Sequence, residues 1–153
     1  MIEINSQQIN NVIVNNNNIQ INKICVRNND KITTVWERNL LTPNITIIEQ
    51  DLSNGMFTAN SPKININFSP DSGYSDTWVT ATITVDVQYG RGNSGINNVV
   101  SVYVEALEGI IESIEFKDPN SYSIVTSKKT ISITDTIENF LNYYRIIVET
   151  DII

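Results

Sequence analysis

The sequence predicts an all-β chain, a short N-terminal β-hairpin element followed by an antiparallel sandwich or barrel. Three observations carry that expectation. Positions 78–89 alternate without a break, with Val79, Ala81, Ile83, Val85, Val87 and Tyr89 on one face and Thr80, Thr82, Thr84, Asp86 and Gln88 on the other. This is the period of a strand with one buried and one solvated side, which belongs in an antiparallel sheet. The apolar content, 41% of the chain, is weighted to the β-branched type, with 26 isoleucines among 153 residues. Beyond residue 44, turn formers separate apolar runs at the interval of short stacked strands.

In chain order, residues 2–4, 12–14 and 19–21 read as strand fragments, each followed by a turn-forming asparagine, and the tract 15–18 reads as a hairpin loop. Residues 19–38 read as a hairpin turning on Asn28, Asn29 and Asp30, which tolerate left-handed backbone angles, with Trp36 closing the second arm. A hairpin of this size is marginal alone in water, so this element is expected to attach to something else. Pro43 lies in the linker 39–44 and cannot occupy a central strand, which sets the expected units at 1–42 and 43–153. The second unit is expected to hold strands at 45–49, 63–68, 78–89, 96–107, 122–126 and 129–134, with Val100, Val102, Val104, Ala106, Ile131 and Ile133 facing inward.

Two segments stay open between strand and helix. Residues 104–116 carry a helical stripe in Val104, Leu107, Ile111 and Ile114, yet Glu108-Gly109 suits a two-residue hairpin. Gly109 would weaken a helix interior, so the hairpin is the favoured reading. For 137–147 helix is the second reading. Tyr144 precedes a late strand, as in the tyrosine corner of immunoglobulin-like sandwiches, where the hydroxyl bonds to backbone upstream.

The chain has no histidine, which excludes Ser-His-Asp and Cys-His arrangements, most zinc sites and the commonest general base. Cys25 cannot form an internal disulfide and is expected as a buried strand thiol. Gly90-Arg91-Gly92-Asn93-Ser94-Gly95 is a formal G-x-G-x-x-G, but a β-branched run follows where a dinucleotide fingerprint needs a helix, so a hairpin loop is expected. Glu105, Glu108, Glu112 and Glu115 read as a solvated acidic face. Asp71, Asp76, Asp118 and Asp135 match no calcium-loop spacing. Neither a catalytic set, a cofactor nor a metal is therefore expected. Net charge is −7, with fourteen of the seventeen acidic residues after residue 40, which argues against a nucleic-acid partner. Met1 is followed by an alternating polar segment, so no signal peptide is expected, and no apolar run approaches membrane-spanning length. Trp36, Trp78, Tyr74 and Tyr89 are candidates for a carbohydrate platform.

Residues 21–37 resemble a short hairpin of form I-x-K-I-x-V-x-N-G-x-x-V-W that recurs in tail and other virion proteins of phages infecting Gram-positive bacteria. Here Asn28-Asn29-Asp30 stands in place of Asn-Gly. Residues 62–151 are similar to bacterial and phage immunoglobulin-like domains, through Ser94-Gly95-Ile96 leading into a β-run and through Tyr144-Arg145-Ile146-Ile147-Val148-Glu149-Thr150-Asp151. The resemblance implies an immunoglobulin-like β-sandwich and a non-enzymatic structural role in a phage particle, tail or baseplate associated, among other virion proteins and in multiple copies. The residues expected at the interface are Trp36, Val35, Ile24, Val26, Arg91 and Asn93. The alternative is a carbohydrate- or host-surface-binding module, capsid decoration included.

Overall fold

The structure is a computed structural model of the chain and describes residues 2–4, 7–9, 23–28, 31–91, 95–117 and 122–153. The side chains of 2–4, 7–9, 26–28, 35 and 36 lie outside the description. The chain divides into two compact units, Met1–Leu40 and Leu41–Ile153, and the described residues are mostly strand.

In the first unit β1 (Ile2–Ile4) pairs antiparallel with β2 (Gln7–Ile9). The hairpin forms where its turn formers place it: β3 (Lys23–Asn28) pairs with β4 (Lys31–Glu37), and Asn28 opposite Lys31 leaves a two-residue connection. A bulge falls between Ile24 and Cys25. Lys23 and Glu37 face each other and form an ion pair at 3.2 Å. Cys25 corrects the buried-thiol expectation. It is exposed, because strand alternation turns it away from half-buried Ile24, and its Sγ lies 3.7 Å from the Thr34 hydroxyl. The strand fragments expected at 12–14 and 19–21 lie outside the described residues.

The second unit is one curled, seven-stranded mixed sheet with a short helix. Its strands are β5 (Thr46–Asp51), β6 (Lys63–Ser69), β7 (Trp78–Arg91), β8 (Asn97–Ala106), β9 (Gly109–Phe116), β10 (Ile124–Thr136) and β11 (Arg145–Ile152), with α1 (Ile137–Tyr143) before the last. β7 organises it. One edge of β7 pairs with β10 from Trp78 to Gly90; the other pairs with β6 from Thr80 to Asp86 and then with β8 at Gly90 and Arg91. From β8 the sheet continues on one side to β9 and on the other through β11 to β5. Two leaves result, β6-β7-β10 and β9-β8-β11-β5, continuous through the β7–β8 hairpin.

The period read in the sequence fills the core. Val79, Ala81, Ile83, Val85 and Val87 from one leaf share a buried cluster with Val100, Val102, Val104, Ile146 and Val148 from the other, joined by Phe116 and Ile131. Fully burying side chains of this size stabilises the fold by about 1.5–3 kcal/mol each.

Several expectations change. The sheet is mixed rather than antiparallel throughout, because β5 runs parallel to β11, with Thr46 opposite Arg145 and Thr150 opposite Asp51. No hairpin constrains this pair, which joins the two ends of the unit, and alternation along one strand carries no information on its neighbour's direction. The strands expected at 122–126 and 129–134 are one, β10. Its consecutive lysines do not break it: Lys128 points outward opposite Asp86, and the Lys129 ammonium sits 5.0 Å from the Phe116 ring centroid. Residues 104–116 are a hairpin, with Leu107 and Glu108 as its turn and Gly109 at φ 109°.

Residues 137–143 are helix, the second reading. The Thr136 hydroxyl accepts from the Asn139 amide at 3.3 Å, and the Ile137 and Glu138 amides donate to the carbonyls of Thr77 and Ser75 at 3.0 Å each. These partners satisfy first-turn donors that a short helix otherwise leaves open. Ile137 and Phe140 are buried, and Phe140 packs edge-on to Phe68 at 5.4 Å.

At the other end of the sheet, Asp51 ties the loop after β5. Its carboxylate accepts from the Ser53 hydroxyl, from the Ser53 amide at 2.9 Å and from the Gly55 amide at 2.9 Å. The Ser53 hydroxyl bond, before the two amides, holds its pKa below the usual carboxylate value. The loop is then pinned by Asn98, fully buried, which accepts from the Thr58 amide at 2.9 Å and donates to the Gly90 carbonyl at 3.1 Å.

Candidate functional site: an apolar-rimmed groove beside the helix

Two concavities bear on function. A cleft of about 390 Å³ lies between β5 and the 57–62 loop, lined by Glu49, Gln50, Asp51, Phe57, Pro62 and Thr150. Asp51, its best-placed acid, is already engaged by Ser53 and Gly55. A second groove, about 320 Å³, runs between the β8–β9 turn and α1 and is lined by Ala106, Leu107, Glu108, Ile111, Asp135, Asn139, Tyr143 and Tyr144.

The floor of this groove is built by strand end, cap and helix together. Asp135 is the penultimate residue of β10 and lies opposite Val79. Its carboxylate accepts from the Thr136 amide at 2.7 Å, from Asn139 Nδ2 at 2.8 Å and from the Tyr144 hydroxyl at 2.9 Å. Tyr144 stacks at 4.6 Å on Phe140, which locks its ring. Burial, then the hydrogen bond and negative charge of Asp135, pushes the phenol up to about 12. Tyr144 is therefore a neutral donor across the physiological range, its proton committed to Asp135. That pair holds the helix to β10; it supplies neither a phenolate nucleophile nor a free base.

The rim is different in kind. Leu107 is 73% exposed and Ile111 42% at the hairpin turn, and Tyr143 is 43% exposed on the helix. Turns are ordinarily polar, and three large, exposed apolar groups around one groove, Leu107, Ile111 and Tyr143, mark a surface that gains by being covered. Tyr144 corrects the tyrosine-corner expectation, since its hydroxyl reaches a carboxylate rather than backbone.

The residues expected at an interface are not gathered here. Ile24 is half-buried on β3, with Trp36 its register partner on β4. The side chains of Trp36, Val35 and Val26 and the whole of Asn93 lie outside the described residues. Arg91 is half-buried at the end of β7 and turned into its own hairpin: its Nε donates to the Gly95 carbonyl at 2.8 Å, and its guanidinium lies 5.8 Å from the Tyr122 ring centroid. The glycine-rich segment leads from β7 into β8, with no helix after it, so the phosphate-binding context is missing.

The glutamates do not form one helical face. Glu105 pairs with Arg145 at 3.1 Å and Glu115 with Lys117 at 2.9 Å. Among the described residues no three acidic or cysteine side chains gather as a metal ion needs, and Asp118 lies outside them. No helix among the described residues is long and apolar enough to cross a membrane. The signal that could have found the groove was Leu107-Glu108-Gly109-Ile110-Ile111, a turn with apolar residues on both sides of its glycine. Comparison with protein-family models, with curated proteins and with solved structures gives no match.

Proposed function

We propose that this chain is a non-enzymatic structural component of a phage particle, tail or baseplate associated, that acts by protein–protein assembly in multiple copies. In this reading the second unit is an immunoglobulin-like sandwich and the hairpin at 23–37 is an attachment element docking on other virion proteins through Trp36 and its neighbours. The observation that carries the reading is the apolar rim of the groove, where Leu107, Ile111 and Tyr143 are all exposed. Exposed apolar groups clustered at one place are the mark of a surface that another protein covers. The resemblance of residues 21–37 to a virion hairpin supplies the kind of assembly.

The occupant of the groove is a neighbouring copy of this chain. Light scattering on the full-length protein across a concentration series is expected to show self-association, and Leu107→Ser with Ile111→Ser is expected to shift it to monomer while leaving the melting temperature within about 2 °C, because both side chains are exposed and neither belongs to the hydrophobic core. Protein that stays monomeric throughout, or association that the double variant leaves unchanged, removes the groove from the assembly. Mass spectrometry of density-purified particles is expected to find the chain; particles without it overturn the virion reading.

A further inference from the structure

The geometry points to a second surface with a different role, in which the outer face of the β6-β7-β10 leaf is a binding face for an uncharged polysaccharide, centred on Trp78. The inference goes beyond the assembly reading and uses none of the groove residues. Strand register lays the face out as a grid. Along β7 the outward residues are Trp78, Thr80, Thr82, Thr84 and Asp86. Ser69, Thr80 and Thr134 form one cross-strand row, Asn67, Thr82 and Ser132 the next, and Asn65, Thr84 and Thr130 the third. A fourth row, Lys63, Asp86 and Lys128, closes the grid with charges, and Trp78 closes the other end beside Thr136. The outward positions of β6 and, from Lys128 to Thr134, those of β10 are exposed, and Thr80, Thr82 and Thr84 are half-exposed between them.

Three features separate this face from an ordinary solvated sheet surface. The first is Trp78 itself, 65% exposed. Tryptophan is highly buried on average, and an indole left in water is a flat apolar plate available to the C–H face of a sugar ring. The second is the absence of charge across three consecutive rows in a chain that is 18% charged. A neutral array selects a neutral ligand, since a phosphate or sulfate polymer would find no cation until the Lys63–Lys128 row.

The third is the chemistry of the side chains. Hydroxyls of Thr and Ser and amides of Asn each donate and accept, as sugar hydroxyls do. Thr80 and Thr134 already show such exchange across strands, with their Oγ1 atoms 2.9 Å apart. Neither groove described above is lined by residues of these three rows, so the face offers an open surface rather than an enclosure for a small molecule. Its rows repeat at about 6.8 Å along strands spaced about 4.8 Å apart, which gives a strip suited to an extended chain of sugars.

The test uses the full-length protein. Chitohexaose, cellohexaose and mannohexaose are titrated by calorimetry, with chitin and cellulose sedimentation and an array of neutral and anionic glycans beside them. Saturable binding of a neutral glycan, insensitive to salt, is the expected result. Trp78→Ala and the double variant Thr82→Val with Ser132→Ala are each expected to weaken it at least tenfold; Trp78→Phe is expected to retain part of it. Because these side chains lie outside the core, thermal melts check that the variants fold. Leu107→Ser is expected to leave glycan binding intact, so failure here and failure of the assembly reading are distinguishable. Absence of binding to every neutral glycan, binding that survives Trp78→Ala, or binding restricted to anionic glycans and lost with salt overturns the inference.

Discussion

Asn98 offers the sharpest test of how the second unit is held together. The side chain is fully buried, and its amide joins two segments that no strand ladder connects: the Thr58 amide donates to its oxygen at 2.9 Å, and its nitrogen donates to the Gly90 carbonyl at 3.1 Å. In Asn98→Ala the buried Gly90 carbonyl loses a donor, at a cost of about 1–3 kcal/mol. Thr58 is exposed, so water recovers part of what its amide loses. With a small cavity added, the total comes to about 2–4 kcal/mol. For a unit of this size that is a fall of roughly 10 °C in melting temperature.

Urea and thermal unfolding followed by far-ultraviolet circular dichroism measure it. Asn98→Asp separates the two bonds. At neutral pH it keeps an acceptor for Thr58 but loses the donor to Gly90 and buries a charge; at lower pH the protonated carboxyl regains a donor, so its deficit should shrink. Thr58→Val keeps the backbone amide and should cost under about 1 kcal/mol. A loss below about 0.5 kcal/mol in Asn98→Ala would refute the idea that this residue pins the loop.

Three further outcomes are expected. Tyr144, with its pKa raised to about 12, contributes stability that is whole below its ordinary value of about 10 and disappears as pH rises through the folded value. Because the ring is partly in solvent the contribution is about 1 kcal/mol, and Tyr144→Phe should flatten the alkaline limb of a stability-versus-pH curve while leaving its neutral-pH shape unchanged. Gly90→Ala should destabilise by more than about 2 kcal/mol, since at φ 104° its added Cβ lies 2.6 Å from the Ser123 carbonyl oxygen. Gly55→Ala, at φ 81° with nothing within 4 Å, carries only the backbone penalty of about 1–2 kcal/mol, and equal denaturant midpoints for the two would contradict this difference. Cys25 is exposed and should titrate fully with a thiol reagent in native buffer; protection until denaturant is added would place it in a buried strand face after all.

The strand β7 was legible from sequence because its environment is uniform: every second side chain from Val79 to Val87 meets the same core, so the alternation is unbroken. The hairpin at 104–116 was legible for a local reason, the left-handed preference of Gly109. The helix was less so. Seven residues cannot nucleate alone, and α1 depends on carbonyls of Thr77 and Ser75, far away in the chain. The groove was hidden for the same reason, since Leu107 and Tyr143 become neighbours only after β10 and β11 are in place. Arg91, singled out for its loop, proves to serve that loop through Gly95. The grid around Trp78 was half legible: the polar alternate of β7 was visible, but which residues of β6 and β10 lie beside it required the register.

The parallel pairing of β5 with β11 has a mechanical consequence. These strands carry the two ends of the second unit, and six consecutive residue pairs, from Thr46–Arg145 to Asp51–Thr150, connect them. Tension applied between the start of β5 and the end of β11 pulls the strands past each other along their length. The hydrogen bonds between them are then loaded together rather than opened one at a time from an end, as they would be if the strands were peeled apart. The unit is thus closed by a clasp oriented to resist traction along the chain, and the leaf carrying Trp78 lies outside the line of that force.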